Sequence, residues 1–186
     1  MARGAQEKRD CLKGTNAGLY IIATALIAAI SLGVAQEPSG WRYVKDDDPL
    51  HGKVHDKFVL EGKYLTPPRT VAEGFWPSIV VLCSDGKVEQ NYIAVGAVAT
   101  LKPKGFYADM LESRVDGKKG LICATGASTD GTAVFFTRVD LKKLLRSHQV
   151  IVGVNEYLGA EVIMEFDMPD AAPVFQKCGQ VLILRK

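Results

Sequence analysis

Apolar and polar positions alternate most clearly in Ser78–Val95, read as SIVVLCSDGKVEQNYIAV. Two runs rich in β-branched and aromatic residues flank Asp85-Gly86, a dipeptide whose tolerance of positive φ suits the primed turn of a tight hairpin. In the first arm Ile79, Val81 and Cys83 share one face and Val80 and Leu82 the other. Both faces therefore read as buried and the arm as central in its sheet. The second arm alternates polar with apolar and has one wet face.

Shorter segments surround the hairpin. Trp41–Val44 predicts a strand and Phe58–Glu61 a second. Between them KDDDPLHGKVHDK is polar, broken by Pro49 and Gly52, and reads as a loop. The stretch 62–77 contains Pro67-Pro68 and Glu73-Gly74 and reads as irregular. Past the hairpin, Gly96–Leu101 extends the strand pattern and Lys102–Ala108 is a loop. Ser113–Val115 is an edge-like strand ending at Asp116-Gly117, Leu121–Thr125 is another, and Ser128–Gly131 turns into Thr132–Phe136. Gln149–Val154 and Glu161–Phe166 alternate around a turn at Asn155–Gly159, and Gln180–Leu184 closes the chain as a strand.

Two helices interrupt this pattern. Asp140 is placed to N-cap LKKLLRSH, where Leu141, Leu144 and Leu145 form an apolar stripe, Lys142, Lys143 and Arg146 face water, and His148 favours the C-terminal end. A second runs from Pro169-Asp170 to Cys178-Gly179, with proline near its start and glycine past its end. The pattern predicts a mainly β, antiparallel, β-sandwich-like domain with two short helices.

One stretch departs from it. Leu19–Ala35, LYIIATALIAAISLGVA, is apolar for 17 residues and follows a basic leader. Small residues at Gly33 and Ala35 before Gln36-Glu37-Pro38 suit cleavage of a signal peptide after Ala35. An uncleaved anchor is the competing reading, since 17 residues is near the lower limit for spanning a bilayer. Residues 1–35 are thus an export signal or anchor, and 36–186 an exported domain. Positive charge before the run sends that domain across the membrane, making it periplasmic, secreted or anchored outside the cytoplasm. Membrane contact arises only through the N-terminal helix, if uncleaved. Cys11 precedes the run and is no lipobox cysteine. Of 23 basic and 21 acidic residues, four and two fall before residue 36, which leaves 19 of each sign in the body. A balanced body has no electrostatic footprint for nucleic acid.

Cleavage leaves Cys83, Cys123 and Cys178, an odd number in a compartment that permits disulfides. Three pairings are open, as is the alternative of three buried thiols. A link from Cys83 to Cys178 would close a loop worth ~4–5 kcal/mol by the chain-entropy model. Cys123, in LICAT, reads as a small core residue.

Among polar clusters the densest is Asp46, Asp47, Asp48, His51, His55 and Asp56. His51, His55 and Asp47 are the candidate metal ligands, yet Pro49 and Gly52 disfavour the helix that would align the imidazoles, and no glutamate follows the first histidine. A solvated loop is the simpler reading. Ser84 lacks a G-x-S-x-G setting, and Gly120–Gly131 lacks the lysine of a phosphate loop. The residues therefore carry no catalytic or cofactor motif. Trp41, Phe75, Trp76 and Tyr92 offer an aromatic patch if exposed and core packing if not.

Trp41, then PSIVVLCSDGKVE at 77–89, SRVDGK at 113–118, STDGTAVFF at 128–136, a short leucine helix and MEFDMPDAAPVFQKC at 164–178 together resemble the VasI-type (TagO-type) accessory proteins of bacterial type VI secretion. The matched positions are Cys83, Arg114, Ser128, Asp130, Phe166, Asp167 and Cys178. Asp170 stands where the family pattern has glycine, and the chain ends in VLILRK without the usual tryptophan. The resemblance implies a pairing of Cys83 with Cys178 and a non-catalytic role beside an envelope or secretion-system protein, without a cofactor. Two other roles stay open: a single-pass subunit of an envelope assembly, and a metal-dependent envelope enzyme using the Asp46–His55 segment.

Overall fold

Asp85 and Gly86 have φ of 52° and 72°, the left-handed pair a primed turn demands, and they join strands Ser78–Ser84 and Lys87–Ala94 as expected. Asp116 and Gly117 repeat the device, with φ of 48° and 75°. The structure, a computed structural model, describes residues 40–48, 53–69, 74–99, 109–156 and 159–182. The Leu19–Ala35 segment, His51 and the Lys102–Ala108 loop lie outside these residues.

The strands are β1 (Arg42–Asp48), β2 (Lys53–Glu61), β3 (Lys63–Thr66), β4 (Ser78–Ser84), β5 (Lys87–Ala94), β6 (Asp109–Val115), β7 (Lys118–Ala127), β8 (Ala133–Phe136), β9 (Gln149–Asn155) and β10 (Glu161–Asp167). The helices are α1 (Arg138–Leu144) and α2 (Ala172–Leu182). All ten strands belong to one antiparallel sheet of order β1-β2-β4-β5-β8-β7-β6-β9-β10-β3, curled into a half-barrel. The domain is mainly β and antiparallel with two short helices, as the sequence predicts, and its sandwich-like layering takes the form of one curled sheet.

The reason lies at Gly62. β2 and β3 are separated by that one residue yet sit toward opposite ends of the strand order, so one nearly continuous segment pairs with β4 on its first half and with β10 on its second. Gly62 donates its backbone N–H to Pro77 O at 2.8 Å. A Cβ at Gly62 would stand 2.5 Å from Glu165 O and from the Phe166 ring, so only glycine lets the two backbones approach. Gly62→Ala is expected to lower stability by about 1–3 kcal/mol through overpacking. A denaturant midpoint equal to wild type would show that the closure tolerates a methyl group.

The inner face of the curl is the core. Cross-strand neighbours Phe58–Val81 and Leu60–Ile79–Ile93 line it, each almost wholly removed from water. Val150, Val152, Met164 and Phe166 complete it from the other flank. Helix α2 packs on β4 and β5, burying Val174 and Cys178. Cys178 is bonded to Cys83 across a sequence separation of 95, with Cα atoms 5.6 Å apart. Cys123 is buried on β7, and no described cysteine is a free thiol.

Several expectations change. The polar stretch after Val44 is not a loop: β1 continues to Asp48 and β2 begins at Lys53, with opposite charges at the facing positions Lys45 and Asp56. Residues 63–66 form β3 rather than irregular chain. Ser113–Val115 is no edge, since β6 pairs with β7 on one side and β9 on the other. Among residues 96–99 only Ala99 makes a bridge, to Glu156. Helix α1 is capped by Thr137, not Asp140, and ends at Leu144, so His148 lies beyond it. Helix α2 runs through Gly179 to Leu182, which replaces the start of the predicted final strand.

Candidate functional site

β1 and β2 form a ribbon at one end of the sheet order. On its inner face Tyr43 contacts Phe58, with ring centroids 5.3 Å apart, and donates its hydroxyl to Asp56 Oδ1. That hydrogen bond raises the Tyr43 phenol above its ordinary pKa, helped by desolvation and by the Asp56 charge. Lys177 of α2 places Nζ 5.7 Å from the Tyr43 ring centroid. The phenol is thus held between a carboxylate and a cation on an otherwise open strand.

The outer face of the ribbon is a run of loose ion pairs. Arg42 meets Glu61 at 3.5 Å and Lys57 meets Asp46 at 3.9 Å. His55 Nδ1 lies 2.9 Å from Glu89 Oε2 without an aligned hydrogen bond. Val44 is an exposed apolar group on this face, and Tyr43 and Val54 are exposed on the other. Chemically, the ribbon offers backbone edge groups, apolar side chains and both signs of charge, the elements of strand-mediated protein recognition.

The residues singled out from sequence are mostly not gathered here. His55 and Asp47 both lie on the ribbon, but His55 is engaged with Glu89, and among the described residues no group of three or more histidine, cysteine or acidic side chains could hold a metal ion. Ser128 and Asp130 shape one turn: Ser128 Oγ accepts Ala133 N–H at 2.9 Å, and Asp130 Oδ1 accepts Thr132 N–H at 3.0 Å and the Ser128 hydroxyl. These bonds hold the Asp130 carboxyl below its usual range, the Ser128 hydroxyl first. Phe166 is core, while Arg114 on β6 and Asp167 at the end of β10 are exposed. Of the matched positions, Cys83 meets Cys178 and Ser128 meets Asp130, while Arg114, Phe166 and Asp167 lie apart from both pairs.

The aromatic candidates divide in the same way. Trp41 packs partly buried on the core and Tyr92 sits edge-on to Phe135 at 5.6 Å. Phe75 lies over Gly96, beside Tyr64, whose hydroxyl donates to Val95 O and whose phenol is pushed up to about 12 by burial. Of the four singled out, only Trp76 is exposed, at 59%. Tyr43 falls in the predicted strand Trp41–Val44, but no sequence signal marks it as a site residue, because Asp56 and Lys177 reach it only through the fold.

Away from the ribbon, Asp116 in the β6–β7 turn pins the start of β9. Its carboxylate accepts the backbone N–H groups of His148 at 2.8 Å and Gln149 at 3.0 Å, and those bonds hold its pKa below the ordinary carboxylate range. A depressed folded value contributes stability above the unfolded carboxylate pKa, about 4, and that stability is lost as pH falls through the folded value. Asp116→Asn is expected to flatten the acid limb of the stability profile, read as the midpoint of thermal unfolding between neutral and acid pH. An unchanged slope would refute the linkage.

Comparison with protein-family models, with curated proteins and with solved structures returns no match.

Proposed function

We propose that this chain is a non-enzymatic, exported domain of the cell envelope that works by docking another protein on the β1–β2 ribbon. The observation that carries the reading is the pairing of Cys83 with Cys178, a cross-link of the sort that persists in oxidising compartments. It accords with the apolar leader in the sequence. The ribbon supplies the docking element: an edge strand whose exposed Tyr43 and Val44 are bordered by charge, beside the exposed Val54 of β2. A role near a secretion system, as the VasI-type resemblance implies, belongs to the same reading.

The test combines compartment and contact. A photo-crosslinking residue in place of Val54 is expected to trap a protein partner in the envelope fraction, while the same probe in place of Lys119 on β7 is not. Recovery of the chain in the cytosol with Cys83 and Cys178 reduced, or equal trapping from both positions, would overturn the proposal.

A further inference from the structure

β1 is the terminal strand on its side of the sheet, so its outer backbone groups have no neighbouring strand among the described residues. Edge strands usually carry charge that discourages pairing. The charges of β1 are arranged differently: Arg42 stands near one end, Asp46 four residues on, and Val44 midway between them. Successive residues of a strand turn their backbone groups to opposite edges, so in an antiparallel pair of identical strands each residue faces one of the same parity. The twofold axis then passes through a residue and not between two.

Three axes are available near the middle of the exposed run. An axis at Lys45 sets two ammonium groups face to face and puts Val44 against the partner's Asp46. An axis at Tyr43 puts Arg42 against the partner's Val44. An axis at Val44 puts Arg42 opposite the partner's Asp46 twice over, Tyr43 opposite the partner's Lys45, and Val44 opposite the partner's Val44. Across Arg42–Asp46, only this last register matches each facing pair by charge or by apolar character. Arg42 and Asp46 have room to take part, with side chains 63% and 54% exposed and in-chain partners at 3.5 and 3.9 Å.

We infer that β1 pairs antiparallel with β1 of a second copy about a twofold axis at Val44, joining two half-barrel sheets edge to edge. The inference rests on the reading of this ribbon as a docking edge and names its occupant. Because the twofold repeats each contact, one substitution changes two sites.

The full chain, purified oxidised from the envelope, is expected to sediment as a dimer. Arg42→Asp alone and Asp46→Arg alone each set like charges opposite one another at both sites, and each is expected to weaken the dimer about tenfold or more. Mixing the two single variants in equal amounts restores opposite charges at both sites and is expected to recover dimer, as is the double variant R42D/D46R. Val44→Cys is expected to cross-link to itself under mild oxidation, whereas Leu65→Cys on β3 is not. A wild-type monomer, or a dimer indifferent to both reversals, overturns the inference. If the chain is monomeric while the Val54 probe still traps a different envelope protein, self-pairing fails and the docking role stands. If the probe traps nothing either, both fail.

Discussion

Replacing Cys83 and Cys178 together by alanine is expected to lower the stability of the oxidised domain by about 4–5 kcal/mol, the largest single effect in the molecule. The link spans 95 residues, so in the unfolded chain it removes the freedom of about half the polypeptide. It also fastens α2, which otherwise rests on β4 and β5 through Val174, the partly buried Phe175 and a bridge from Gly179 to Lys87. Two readouts check this. Denaturant unfolding gives the loss, and reductant added to the wild type should bring its midpoint to that of the variant. Amide exchange in α2 should accelerate more than in β4, because the helix has the fewer remaining anchors. Insensitivity of the wild type to reductant would show that the link does not form.

Asp140→Ala should follow at about 3 kcal/mol. The carboxylate is 7% exposed, and its Oδ2 accepts both the Thr137 hydroxyl at 2.7 Å and the Cys123 backbone N–H at 2.9 Å. Its own N–H donates back to Thr137 Oγ1 at 3.1 Å, which makes the pair a reciprocal cap on α1. Alanine removes the acceptor of the buried Cys123 N–H as well as the cap, and an unmet buried donor costs about 1–3 kcal/mol, more than the net worth of the bond. Asp140→Asn keeps an acceptor and should lose much less. Thr137→Ala should cost about 1 kcal/mol. In a double variant the losses should sum to less than the separate values, since both residues serve one network. Strict additivity by chemical denaturation would mean that the two side chains act independently.

Much of this fold is legible in the residues. Asp85-Gly86 between two β-branched runs could only turn back on itself, and Asp116-Gly117 behaves alike, because few residues accept positive φ at consecutive positions. The alternation in Gln149–Val154 and Glu161–Phe166 likewise reads directly as two half-buried strands, now β9 and β10. Boundaries were harder where local composition competes with a distant partner. Lys45–Asp48 and Lys53–Lys57 look like loop by composition, yet Lys45 and Asp56 bring opposite charges to facing positions of the ladder, a signal visible only when the two segments are read against each other. Thr137 takes the cap because its Oγ1 accepts the Asp140 N–H, while the Asp140 carboxylate, one of the two good cap formers in the segment, is drawn to the Thr137 hydroxyl and the Cys123 N–H across the fold. The helix passes Gly179 because the Cys178 disulfide holds that turn to β4 and the Gly179–Lys87 bridge holds it to β5, and tertiary anchoring outweighs the small penalty of glycine within a helix.

By itself the amino-acid sequence determined the mainly antiparallel β character, the two tight hairpin turns, the presence of two short helices and the charge-balanced body, since each depends on neighbours a few residues apart. Only the tertiary structure decided that the strands make one curled sheet. That outcome hinges on a single glycine, Gly62, meeting Glu165 and Phe166 about a hundred positions later. It also decided that β1 lies at the rim, because which strand is left without a neighbour is a property of the whole pairing order and of no local segment.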